Sequence, residues 1–181
     1  MIRDCLSDYV RATTENTCSI FRRVGIKLDK SNNVEHLYVK LNKQKDVKIS
    51  KECWAIIDSA NVPDIFFTVS SLEEDLPIPE RNGDISLLKR VINCRSDADF
   101  KIMLAWLVYT FSPGQFGSKS LLIFEASHGS GKYKTSQFLK QLIDHGKVPL
   151  STVRTENDIM ILAKHDWLTV LDNLSDIKKD V

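Results

Sequence analysis

Glycine and proline are scarce in this sequence, seven and five among 181 residues. That scarcity excludes collagen-like repeats and the loop-rich composition of low-complexity chains. Cysteine is scarcer still. Cys5, Cys18, Cys53 and Cys94 stand too far apart for zinc-site or redox-motif spacing, and they read as reduced, packed thiols. No apolar run nears the roughly 18 residues that a membrane-spanning helix needs. Met1-Ile2-Arg3-Asp4-Cys5-Leu6 lacks the form of a signal peptide. A cytoplasmic protein with no membrane partner is therefore expected. An excess of either charge sign is missing too, since the net charge is +1. What remains, 43% hydrophobic and 27% charged residues, is ordinary globular composition. The length suffices to bury a core without disulfides or metals.

The balanced charge is unevenly spread. Residues 20 to 51 hold nine bases (Arg22, Arg23, Lys27, Lys30, Lys40, Lys43, Lys45, Lys48, Lys51) against three acids, a net +6. Residues 52 to 84 hold eight acids and Arg81, a net −7. Such a dipole marks a nucleic-acid or docking face, or else a solvated hairpin beside an acidic linker.

Hydrophobic periodicity divides the chain. Ile2, Cys5, Leu6, Tyr9 and Val10 recur at helical spacing. Residues 20 to 26 read as a strand and residues 29 to 33 as a turn, because Asp and Asn bond their own main chain. Residues 34 to 41 read as the return strand, with further short strands at 47–49, 54–57 and 65–69. Residues 1–75 are thus expected to form a helix and a small antiparallel β unit. Leu76-Pro77-Ile78-Pro79 reads as a linker. Within 76–181, Asp84 can cap a helix carrying Ile85, Leu88, Val91 and Ile92. A second helix is expected from 97 to 111, with Phe100, Met103, Leu104, Trp106, Leu107 and Val108 on its apolar side. An apolar strand at 120–124, helices at 132–144 and 156–164, and an apolar strand at 167–171 follow. Strand, loop, helix, helix, strand implies a parallel sheet with crossover helices. No internal repeat is visible.

The chemistry concentrates after residue 124. Glu125-Ala126-Ser127-His128-Gly129-Ser130-Gly131-Lys132-Tyr133 is close to a phosphate-binding loop. In such a loop the backbone N–H groups curl around an anion, and glycine permits the required angles. The next helix points its positive end at the same phosphates. Ser127, His128, Gly129, Ser130, Gly131, Lys132 and Tyr133 are therefore the candidate nucleotide-binding residues, with Lys132 reaching the outer phosphates. Two positions depart from the pattern. Ala126 stands where the first glycine belongs. Tyr133 and Lys134 replace two small hydroxyl residues, the first of which normally ligates magnesium. Thr135 carries a hydroxyl, but two residues on from Tyr133 it sits about 200° around the helix. Triphosphate binding is thus easier to retain than metal-assisted hydrolysis.

A second element is Trp167-Leu168-Thr169-Val170-Leu171-Asp172-Asn173. Asp172, 40 residues after Lys132, would hold magnesium through water. Asn173 stands where a glutamate often activates the attacking water, and asparagine cannot accept that proton. Lys132, Asp172 and Asn173 form the candidate catalytic set.

Gly129-Ser130-Gly131-Lys132, then Phe138-Leu139-Lys140-Gln141-Leu142-Ile143-Asp144, then Val170-Leu171-Asp172-Asn173-Leu174-Ser175 resemble the ATP-binding proteins of phages and integrated mobile elements. These are similar to the helicase part of primase–helicase proteins. The resemblance implies an α/β fold with a partial P-loop NTPase (RecA/AAA-like) parallel-sheet core, preceded by the antiparallel β unit and linking helices. It implies ATP as ligand, magnesium in doubt at Tyr133, and a DNA-replication context with replication proteins as partners. The later strands, polar sensor and arginine finger of a motor would lie beyond Val181, so a fragment and a decayed copy both stay open. Two other functions stand beside a helicase-like ATPase with weakened hydrolysis. One is a non-catalytic DNA-binding or assembly module using residues 20–51. The other is a small-molecule phosphotransferase, for which no substrate-binding arginine pair or lid is visible.

Overall fold

A computed structural model describes residues 19–62, 64–112, 119–127 and 129–172. The helix expected at residues 2 to 13 lies outside them, as do Pro63, His128 and Asn173. The chain is mixed α/β. A four-stranded antiparallel sheet is built from β2 (Val24–Leu28), β3 (Val34–Lys40), β4 (Lys45–Ile49) and β5 (Trp54–Asp58), in that order. A separate parallel pair joins β1 (Ser19–Phe21) to β6 (Ile65–Phe67). Three α-helices follow: α1 (Asp97–Thr110), α2 (Lys132–Ile143) and α3 (Glu156–His165).

Local chemistry fixes the β unit. The Asp29 carboxylate accepts from the amides of Ser31 at 2.8 Å and Asn33 at 2.9 Å, and Asn32 takes a left-handed φ of 64°. That tight turn returns the chain as β3. The Asn42 side chain accepts from the amides of Gln44 and Lys45 and closes the next turn. The expected strand at 20–26 is broken at Arg22–Arg23. β1 leaves there to pair with β6, and both arginines turn to distant partners. The N-terminal unit is therefore only partly antiparallel.

Cross-strand partners share a sheet face. Val24, Val39 and Val47 lie opposite one another and, with Leu41 and Leu76, form a buried cluster. Leu37, Trp54, Phe111 and Trp167 pack against it. Gly25 lets β1 and β6 approach closely, because a Cβ there would stand 3.0 Å from both Phe21 and Ile65. Leu76, from the expected linker, donates its amide to the Leu41 carbonyl.

The second cluster holds Ile92, Phe100, Met103 and Leu139, so α1 packs on α2. Ser96 caps α1 by accepting from the Asp99 amide. Asp84 caps as expected, but the turn it starts is a 3-10 helix, Ile85–Arg90. Val108 is 71% exposed, against expectation. It stands five residues from Met103, about 140° around the helix.

The expected parallel sheet of strands 120–124 and 167–171 is not formed among the described residues, where neither segment is a strand. The 120–124 segment alternates as an extended chain does. Leu122 and Phe124 pack on the α1–α2 cluster, while Leu121 and Ile123 are 87% and 78% exposed. Period-two alternation reports an extended backbone with one covered face, and it says nothing of a ladder partner. Residues 167–171 make a single parallel bridge, Leu171 to Ser151.

Candidate functional site

The loop after residue 124 is curled at its helix-proximal end. Gly129 and Gly131 adopt φ of 77° and 89°, a left-handed region where an L side chain is strained. Neither glycine has a heavy atom within 4 Å of where a Cβ would sit, so backbone angle, not crowding, demands glycine there. Gly131 is the N-cap of α2 and offers no side-chain acceptor to the first amides of the helix. Those amides keep their partial positive charge for another acceptor.

Lys132 arches back across the loop. Its ammonium donates to the Ala126 carbonyl, to the Ser127 carbonyl at 2.8 Å and to Ser130 Oγ at 3.4 Å. The Ser130 amide approaches the Ser127 carbonyl at 3.4 Å. Ala126, Ser127, Ser130 and Lys132 thus close a small ring of main chain around one positive charge at the head of α2. Ser127, Gly129, Ser130 and Gly131 are exposed, so the ring is open to an incoming anion.

A polyphosphate fits these groups: uncapped amides, two left-handed glycines, and an ammonium whose donors rest on neutral carbonyls that a phosphate oxygen can replace. Magnesium does not fit as well. Tyr133 is 49% exposed and carries no short hydroxyl at the loop. Thr135 is buried. Among the described residues no three His, Cys, Asp or Glu side chains gather as a metal site.

Asp172 does not meet Lys132, whose donors rest on loop groups. Asp172 is exposed, and its amide donates to the Ser151 carbonyl at 3.0 Å. His128 and Asn173, two of the expected site residues, lie outside the described residues.

The sequence reading missed a buried ionic cluster. Arg23, 1% exposed, donates to Asp144 Oδ1 from Nε at 3.2 Å and Nη2 at 3.1 Å, and pairs with Glu73 at 3.1 Å. Lys40 pairs with Glu73 at 2.9 Å. Lys140, 2% exposed, pairs with Asp166 at 2.8 Å and donates to the Leu168 carbonyl at 2.7 Å. Three bases and three acids balance one another, as buried charge requires. One signal was available: Lys140 and Asp144 sit at i and i+4 beside the apolar Leu139 and Ile143, where a solvated pair is not expected.

The cluster also draws on the basic stretch. Arg23 and Lys40 are buried in it, Arg22 donates to the Ala163 and Asp166 carbonyls near the end of α3, and Lys45 pairs with Asp58 at 2.6 Å. Lys27, Lys30, Lys43, Lys45, Lys48 and Lys51 stay outside it. No described helix is long and apolar enough to cross a membrane.

Comparison with protein-family models, characterised proteins and solved structures finds no match.

Proposed function

We propose that this chain is the ATP-binding module of a helicase-like ATPase of DNA-replication type, of the kind carried by phages and mobile elements, with weakened hydrolysis. One observation carries the reading: Lys132, the first residue of α2, bends over left-handed Gly129 and Gly131 and rests its ammonium on the Ala126 and Ser127 carbonyls. An entering triphosphate replaces those neutral acceptors with anionic ones, so that the ammonium gains opposite charge as well as hydrogen bonds. Ser130, Gly131 and the first amides of α2 then face the phosphate oxygens. Weak hydrolysis follows from Tyr133, which supplies no short hydroxyl for a metal, and from Asn173, which cannot take a proton from water.

Titration of labelled ATP into the wild type and Lys132→Ala tests the reading. Affinity should fall at least tenfold in the variant, and equal affinity rejects nucleotide binding at this loop. The alternative, a non-catalytic DNA-binding or assembly module, rests on the six lysines of residues 20–51 that stay outside the buried cluster. It requires DNA binding that weakens as salt rises.

A further inference from the structure

A loop of this kind holds magnesium through a short hydroxyl just after the lysine and a carboxylate at the end of a neighbouring strand, while the phosphates supply the remaining oxygens. The hydroxyl and the carboxylate must come from the chain. Neither stands at the head of α2. The residue after Lys132 is Tyr133, whose hydroxyl lies at the end of an aromatic ring and whose side chain is 49% exposed. The next hydroxyl, Thr135, is buried, and its amide donates to the Gly131 carbonyl at 3.0 Å as part of the helix.

Acids are missing from the same place. The first turn of α2 holds none. The Lys132 ammonium rests on two carbonyls and a hydroxyl, and none of these partners is a carboxylate. Glu125 is the single acid of residues 125–133; it is exposed and precedes the ring that Ala126 and Lys132 close. Asp172 is tied by its amide to the Ser151 carbonyl, and among the described residues it makes no hydrogen bond or ion pair with the loop. Positive charge is in good supply. Lys132 and the exposed Lys134 share the first turn, and no side chain caps the amides there.

Magnesium strengthens the binding of a triphosphate where the chain gives the ion ligands. Elsewhere it keeps its waters, because it dehydrates reluctantly. It then cancels about two of the roughly four negative charges that the ligand carries at neutral pH. At a site that holds phosphate by ammonium groups and helix amides, the complexed ligand is the weaker one.

We propose that this loop takes the metal-free triphosphate and that magnesium antagonises its binding. The inference rests on the nucleotide reading above and deepens it by naming the form of ATP that the site accepts. Occupancy then rises when magnesium falls short of nucleotide, so the loop answers to the balance of the two.

Labelled ATP is titrated into the full chain at matched ionic strength, once with EDTA and once with magnesium in excess. Affinity should be about tenfold higher without the metal. Tyr133→Ser restores a short hydroxyl at the position that ligates magnesium, and the half-exposed ring makes the fold tolerant of the change. In this variant the preference for metal-free ATP should shrink by about threefold or more, through tighter binding of the magnesium complex. Wild-type affinity that is equal or higher with magnesium overturns the proposal and leaves the Lys132 reading intact. An unchanged preference in Tyr133→Ser overturns it as well, because the antagonism then does not arise from the missing ligand at residue 133. Failure of the wild type to bind ATP in either buffer removes the nucleotide reading, and this inference with it.

Discussion

Asp46 is 1% exposed, and neither of its carboxylate oxygens has a hydrogen-bond partner among the described residues. Burial pushes its carboxyl above the ordinary value, with Ser59 and Lys40 opposing in part. The sign follows from linkage. A neutral Asp46 favours the fold fully below about pH 3.9, the unfolded value. That contribution is lost as pH rises through the higher folded value. Asp46→Asn should therefore match wild type near pH 3 and exceed it in stability at pH 7, because the amide has no charge to desolvate. Urea unfolding of both proteins at the two pH values checks this, and a variant weaker than wild type at pH 7 contradicts it. Glycines divide by cause at the same scale. Gly131→Ala meets no atom but must adopt a φ of 89°, so it should cost roughly 1 to 2 kcal/mol of loop strain and weaken ATP binding. Gly25→Ala has an unremarkable backbone but puts a methyl 3.0 Å from Phe21 and Ile65. It should cost about 1 to 3 kcal/mol in urea unfolding and leave ATP affinity unchanged. The loop glycines were legible in the sequence by their motif. Gly25 was not, because its need arises once β6 brings Ile65, 40 residues on, against it, and Phe21 stands beside Ile65 in β1.

At the scale of elements, strong periodicity and caps carried most of the information. The helices expected at 97–111, 132–144 and 156–164 are observed within a residue or so of those limits. α3 owes its start to a capping box: Thr155 Oγ1 accepts from the Asp158 amide at 3.2 Å, and the Asp158 carboxylate accepts from the Thr155 amide at 3.0 Å. Thr155→Ala should destabilise the fold by about 1 kcal/mol in thermal or urea unfolding, and Thr155→Ser should be close to neutral. A fully neutral alanine variant would mean that α3 is held by Arg22 at its far end instead. The hairpin of β2 and β3 was legible as a pair, because its turn lies between the two strands, but remoter strands were legible only as extended chain. Residues 20–26 had one apolar run and two fates, because Arg22 and Arg23 within it answer to Ala163 and Asp144, more than 120 positions on. Residues 120–124 had the alternation of a strand, and their covered face is met by helices through Leu122 and Phe124. Partner choice depends on residues remote in sequence, so alternation cannot supply it.

Over the whole molecule, the ionic cluster joins parts that the charge count along the chain kept separate. Arg23 and Lys40 come from the basic stretch, Glu73 from the acidic one, and Lys140, Asp144 and Asp166 from the helical region. The +6 and −7 runs therefore partly neutralise each other inside the fold. This joining predicts that ligand binding at one end is felt by the whole. A ligand that binds only the folded state stabilises it by roughly 2.7 kcal/mol at a hundredfold excess over Kd. For a chain of this size each kcal/mol raises Tm by about 2 to 4 °C. ATP at that excess should thus raise Tm by about 5 to 11 °C in a single transition followed by scanning calorimetry. At the same ATP concentration Lys132→Ala, at least tenfold weaker, should show about half that rise or less, since the group that meets the phosphates is gone while the cluster and both apolar clusters are untouched. Two separate transitions, with only the later one moved by ATP, would mean that the Arg23–Asp144 contact does not unite the sheet and the helices. A single transition that ATP moves equally in wild type and Lys132→Ala would put the nucleotide somewhere other than the head of α2.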